Sequence, residues 1–242
     1  MSAVFDDYRA WKSWDRRPFG ACSPLQACGF EAELTAAGVD LGKQLSILEI
    51  GFGSGVFAGW ARDRGFAYVG VELDPELVAR ARQCGFEAFG AGRPLAQVAP
   101  ERRFDLVAAF DVLEHMSPDE IAGLLDAVRP RLSRQGRLLA RFPSGDSPFS
   151  AAMQHGDLTH RTAIGSGMVE QLALQAGYDL LQVRAPTRPI RGVGLIRGLR
   201  RAAVAAVRVM VTEVVRWAFY DGHPRRVIDP NMVVVLAPAG PR

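Results

Sequence analysis

The sequence predicts an α/β fold, a largely parallel sheet covered by helices on both faces. Short, nearly continuous apolar runs alternate with amphipathic stretches, the pattern of strands buried on two sides. The helical stretches also carry start signals: Pro75 follows Asp74 and Pro118 follows Ser117, each an acceptor side chain ahead of a first-turn proline. At 242 residues, with 48% hydrophobic and 23% charged residues, the chain suits one such domain with a sizeable core.

Two regions are expected. Residues 1–44 read as a helical leader in which Tyr8, Trp11 and Trp14, three apart, share one helical face. That face either packs on the domain or forms a flap over a pocket. Residues 45–242 hold the main domain. Strands are expected at Ser46–Ile50, Ala67–Glu72, Phe86–Phe89, Phe104–Phe110, Arg137–Phe142, Tyr178–Val183 and Met232–Leu236. Helices are expected at Val56–Arg64, Pro75–Gln83, Pro118–Val128 and Ser166–Ala176, the last capped by Gly177. Pro143–Ser150 reads as a loop, and residues 186–229 as a basic insertion with one helix, Leu195–Phe219, at its centre.

The net charge is only +3, but the arginines crowd between Arg184 and Arg226. Such a stretch can meet phosphate, an anionic lipid head group or nucleic acid; no nucleic-acid motif accompanies it, which argues against the last. Cys22, Cys28 and Cys84 are odd in number and lack C-x-x-C spacing, so neither a disulfide framework nor a cysteine zinc site is expected. Met1 to Phe19 is charged and has no apolar run like a signal peptide, so the expected location is the cytoplasm. Within Leu195–Phe219, Arg197, Arg201, Arg208, Thr212 and Arg216 form one narrow polar stripe beside a wide apolar face. Charges interrupt it too often for a bilayer span. Peripheral membrane contact, a homodimer contact and a cover for a substrate pocket all remain open for it.

Ile47-Leu48-Glu49-Ile50-Gly51-Phe52-Gly53-Ser54-Gly55 is a strand running into a glycine turn that opens a helix. Glycine there lets a ligand approach the backbone and permits positive φ. Glu72 ends the next strand and can accept both hydroxyls of a ribose, with Leu73 directly after it. A dinucleotide fingerprint would put its third glycine at Val56, whereas it falls at Gly55. Glu49, two residues before the first glycine, would repel a pyrophosphate and suit a cationic amino group. A ribose and an amino group without phosphate describe S-adenosylmethionine.

From about Leu45 to Phe142, and more loosely to Leu236, the chain resembles the class I S-adenosylmethionine-dependent methyltransferases. The resemblance implies a Rossmann-like, doubly wound seven-stranded sheet whose last strand is antiparallel. It implies that Glu49, Gly51, Phe52, Gly53 and Gly55 surround the methionine part of the cofactor and Glu72 its ribose. Many relatives carry an acid after the third strand to meet the adenine; here the stretch is Phe89-Gly90-Ala91-Gly92.

A second constellation, Asp111, Glu114 and His115, follows the strand Phe104–Phe110, at the edge where open α/β sheets bind ligands. In one reading Asp111 borders the cofactor and the others are structural. In the other, His160 joins them: D-x-x-E-H with a distant histidine is similar to the motif of metal-using O-methyltransferases, which implies Asp111, Glu114, His115 and His160 as ligands of Mg²⁺, Mn²⁺ or Zn²⁺. His160 or His115 is then the expected general base. The function read from these residues is methyl transfer to a hydroxyl of a small-molecule or glycan-like acceptor. The alternative is a cofactor- or partner-binding module without catalysis, which would have no need of intact Glu49, Gly51, Gly53, Gly55 and Glu72.

Overall fold

The computed structural model describes residues 3–14, 17–189, 194–223 and 226–240. Residues 15–16 of the leader and 190–193 and 224–225 of the insertion lie outside this description. In chain order the elements are α1 (Ala3–Lys12), α2 (Pro24–Ala36), β1 (Ser46–Ile50), α3 (Val56–Asp63), β2 (Ala67–Glu72), α4 (Pro75–Gln83), β3 (Ala88–Gly90), β4 (Phe104–Phe110), α5 (Pro118–Val128), β5 (Leu132–Pro143), α6 (Ala151–Gln154), α7 (Ser166–Gln175), β6 (Tyr178–Arg184), α8 (Leu195–Tyr220) and β7 (Asn231–Pro238).

The sheet order is β3-β2-β1-β4-β5-β7-β6. β1 to β5 pair in parallel and β7 runs antiparallel to both neighbours. Strands that read as unbroken apolar runs are sorted by the two-residue pleat into two cores. Leu48, Val107 and Leu138 face one side, under α5 and α7; Ile47, Leu106 and Leu139 face the other, under α2, α3 and α4. The order in which strands are added reverses between β1 and β4, and the crevice at their carboxyl ends is where this topology binds ligands.

Local chemistry sets the helix starts. Ser23 with Gln26 and Ser117 with Glu120 form capping boxes, each followed by proline, and Asp74 accepts from the Glu76 N–H at 2.8 Å.

Three expectations shift. The third strand lies at Ala88–Gly90 rather than Phe86–Phe89 because the Phe86 ring is spent on packing against Phe19 and Tyr68. β5 begins at Leu132, five residues early, because Leu132 pairs with Phe104 across a bulge whose exposed polar residues hide the strand period. The helical face proposed for Tyr8, Trp11 and Trp14 ends at Lys12, since Ser13 takes φ 55°; Trp14 nonetheless returns to within 5.6 Å of Tyr8, while Trp11 points to solvent.

The stretch between the two leader helices is tied to α3 by a contact only glycine permits. A Cβ on Gly59 would sit 1.8 Å from the Gly20 carbonyl oxygen, and Gly20 itself donates its N–H to Ser54 O at 3.0 Å. Gly59→Ala is therefore expected to cost more than about 2 kcal/mol of unfolding free energy in urea titration, through overpacking of backbone on backbone. A cost under half of that would show that residues 17–20 can retract freely.

Candidate active site

The glycine turn after β1 has all three glycines in the left-handed region. At Gly51 an added Cβ would meet Val112 at 2.5 Å, and at Gly55 it would meet the Phe19 ring at 2.3 Å, so conformation and space both exclude a side chain. The turn lets the chain fold back over the strand end and leaves Glu49 lining a cleft of about 500 Å³. That lies within the roughly 300–1,000 Å³ of a site for one drug-sized molecule. Around it stand Glu49, Gly51, Phe52, Gly53 and Ser54 from the turn, Phe110, Asp111 and Arg141 from the sheet edge, Tyr8, Lys12 and Trp14 from the leader, Phe30 and Glu33 from α2, and Pro186 and Thr187 after β6.

Glu49 is 3% exposed and accepts one hydrogen bond, from the Tyr68 hydroxyl at 2.6 Å. Burial pushes its carboxyl up to about 8, with the Tyr68 bond opposing and the Glu72 charge adding. Glu72 is raised by burial too, against three backbone donors: Gly53 at 2.9 Å, Leu73 at 2.6 Å and Asp74 at 3.2 Å. Its carboxylate thus clamps the glycine turn. Leu73 is mostly exposed and turned out of the cleft.

Asp111, at the end of β4, takes φ 57°, an uncommon conformation for a residue with a Cβ. Its carboxylate meets the Arg141 guanidinium on both oxygens, with Nε at 3.1 Å, and its N–H donates to Arg141 O at 2.7 Å. The arginine lies over the Phe110 ring. Asp111 therefore borders the cleft but does not join the histidines, which corrects its expected place among metal ligands: its partner is a cation on the neighbouring strand, in register with Phe110.

Glu114, His115 and His160 do come together, each offering a ligand atom within 4.8 Å of the others. Glu114 and His115 lie on a turn of 3₁₀ helix, and His160 follows α6 on a loop whose Arg161 and Thr162 N–H groups donate to Glu114 O at 2.7 and 3.1 Å. Glu114 is 1% exposed, its Oε2 has no hydrogen-bond partner among the described residues, and burial together with the Asp111 charge pushes its carboxyl up to about 8. The Thr159 hydroxyl donates to Asp157 Oδ1 at 2.6 Å, so its oxygen accepts from His115 Nδ1 at 2.9 Å. His160 Nδ1 donates to Gln154 O at 3.1 Å. Nδ1 of each ring is taken by these bonds, and His160 Nε2 lies 3.7 Å from Asp157 Oδ2 and 3.9 Å from Glu114 Oε1. Burial, then the neighbouring His160, lowers the His115 pKa and keeps it neutral.

α1 spans this edge. Arg9 pairs with Asp74 at 3.2 Å and with Glu76 on the β2 side, while Lys12 pairs with Asp157 at 3.5 Å and Tyr8 packs edge-on against His115 at 6.1 Å on the β4 side. Trp14 lies against Gly53. No residue of α8 lines the cleft, contrary to the expectation of a pocket cover; Pro186 and Thr187 are the insertion's share. Tyr68, Arg141 and Asp157 were not singled out by sequence reasoning. Only Asp157 left a signal, the Asp-x-Thr turn in which Asp157 Oδ1 accepts from Thr159 N at 3.0 Å.

Residues 21–183, more than half of the chain, match the methyltransferase domain family. The chain belongs to that family. It is a class I enzyme whose methyl donor is S-adenosylmethionine. In fold the methyltransferase is similar to a SAM-dependent methyltransferase from Archaeoglobus fulgidus, with 14% identity, TM-score 0.60, and 97% of this chain and 99% of that one covered. It is similar also to the methyltransferase in complex with the Haloferax volcanii Trm112 methyltransferase activator, with 14% identity, TM-score 0.61, and 99% of each chain covered. A third likeness is to the mitomycin 7-O-methyltransferase MmcR, with 14% identity, TM-score 0.59, 98% of this chain and 59% of that one covered. No curated protein matches the sequence.

Because the folded state favours neutral Glu49, this group's contribution to stability is full below the ordinary carboxyl value of 4.5 and is lost as pH rises through about 8. Glu49→Gln should therefore unfold at higher denaturant than the parent at pH 8.5, by on the order of a few kcal/mol, and near-equally at pH 4.5. Calorimetry or urea titration across that range checks it; a gap independent of pH would mean that Glu49 is ionised throughout.

Proposed function

We propose that this methyltransferase acts on a hydroxyl of a small-molecule or glycan-like acceptor, with His160 or His115 as general base. The observation that carries the reading is the pair of histidine rings held beside buried Glu114, which follows β4, each with Nδ1 engaged and Nε2 outside any hydrogen bond among the described residues. When bound, S-adenosylmethionine supplies an electrophilic methyl carbon on a sulfonium. Glu49 is poised to lose its proton and accept from the amino group, the Gly51–Gly55 turn packs on the methionine part, and Glu72 exchanges part of its backbone clamp for ribose hydroxyls. The acceptor enters between Phe30, Arg141, Pro186 and Thr187, and its hydroxyl proton passes to Nε2. Similarity in fold to an O-methyltransferase agrees with this reading.

A second reading is favoured by the orphaned Oε2 of Glu114, which a cation would satisfy. Glu114, His115 and His160 would hold Mg²⁺, Mn²⁺ or Zn²⁺ through one carboxylate oxygen and two Nε2 atoms, and their Nδ1 bonds to Thr159 and Gln154 are the outer-shell contacts such ligands use. A divalent cation there supplies Lewis acidity that lowers the pKa of a nearby hydroxyl. Asp111 stays with Arg141 in either case.

We further propose that the leader, residues 1–44, acts as a flap, since the last turn of α1 bridges the cleft edge, Arg9 pairing with Asp74 on the β2 side and Lys12 with Asp157 on the β4 side.

Glu72→Ala is expected to weaken S-adenosylhomocysteine binding by about 2 kcal/mol in titration calorimetry, the worth of a charge-assisted pair of hydrogen bonds, without unfolding the chain. Unchanged affinity would remove the ribose role. His160→Ala should abolish methyl transfer while S-adenosylhomocysteine affinity stays within about twofold. If chelator treatment reproduces that loss and added metal reverses it, the cation reading holds; full activity in excess chelator leaves the histidine as the simple base.

A further inference from the structure

α8 is 26 residues long, about 39 Å at helical rise, and Gly198 is its single buried residue. Polar contacts seat its inner side. Arg208 pairs at 3.1 Å with Asp229, which also holds Arg188 at 2.8 Å; Arg201 donates to Pro189 O at 2.7 Å; and the Tyr220 hydroxyl donates to Asp146 O at 2.9 Å. Its outer side carries Ile196, Leu199, Val207, Met210, Val214 and Trp217, between 55% and 84% exposed. Leu195 and Val209 flank that line on one side and Val204 on the other.

We propose that this outer face docks on an anionic lipid surface, with α8 lying in the plane of the head groups. Three features select that occupant. The face is far wider than the two-position seam by which a second helix would pack, and a flat boundary covers such a width whereas a cylinder does not. Its charge is one-sided: Arg197, Arg200, Arg201, Arg208 and Arg216 stand against Glu213 alone, and Glu213 is taken by Arg216 at 2.6 Å. Arg197 and Arg200 are exposed and form no ion pair with a carboxylate among the described residues, so phosphate head groups complement them, while a second copy of the helix would bring the same surplus against itself. Trp217 stands four-fifths exposed on this face at the C-terminal end, the interfacial placement of an amphipathic ring. No helix of the described residues is long and apolar enough to cross a membrane, so the contact is one of lying on the surface. The inference does not depend on which atom accepts the methyl group.

The test is co-sedimentation of the full chain with mixed phosphatidylglycerol and phosphatidylcholine vesicles and with phosphatidylcholine alone, beside sedimentation velocity without lipid. The parent should bind the anionic vesicles, more weakly as salt rises, and bind the neutral ones poorly. Met210→Asp with Val214→Asp should lower partitioning at least about tenfold, and Arg197→Gln with Arg200→Gln should flatten the salt dependence. All four positions face solvent, and unchanged urea unfolding would show that the variants fold. Absence of binding to anionic vesicles overturns the proposal, as does equal binding to neutral ones. A dimer in solution that Met210→Asp with Val214→Asp dissociates would assign the face to a second copy instead.

Discussion

The site depends on a carboxyl group that the fold has taken out of water. Glu49 lies one residue before the end of an apolar strand, next to a turn of three left-handed glycines, and has one hydrogen-bond donor, Tyr68. Desolvating a carboxylate with so little compensation favours the neutral acid, which is why its pKa rises. The same burial makes an ammonium ligand welcome, because a cation repairs the deficit. The strand end is thus less stable than a better-compensated group would make it.

That arrangement needs support from outside the sheet. Phe19 fills the space left by the absent side chain of Gly55, Trp14 covers Gly53, and Gly20 donates to Ser54. α2 adds Phe30 against Phe57 and Phe110, and its Glu33 accepts from the Thr187 N–H at 2.7 Å. The leader therefore contributes walls of the cleft and part of the core beneath it, and β6 is joined to the site through the same helix.

On the β4 side, two local devices separate charges that would otherwise interfere. Asp111 is drawn to Arg141 by a backbone conformation that turns its side chain toward β5. Asp157, held below its ordinary range by Thr159 despite partial burial, fixes the hydroxyl that in turn fixes the His115 tautomer. The outcome is a neutral His115 ring and a neighbouring His160 ring beside a buried carboxyl, an arrangement suited to accepting a proton or a cation.

By itself the sequence determined the architecture and the glycine turn that edges the cleft. Strand ends at Ile50, Glu72 and Phe110 and helix starts at Pro75 and Pro118 are set by neighbours within a few residues: apolar runs, prolines and capping side chains. The glycine turn and its two acids are legible for the same reason, since spacing along one chain dictates their placement. Tertiary structure decided what pairs across distance. Whether Asp111 would meet His160 or Arg141 depended on the register of β4 with β5; that Tyr68 would serve Glu49 depended on the side of the sheet each faces; and that α8 would expose its apolar face rather than roof the cleft depended on Asp229 and Asp146 seizing its polar side. These are contests between partners far apart in sequence, and periodicity, which records only the preferences of a residue's immediate neighbours, carries no information about who wins them.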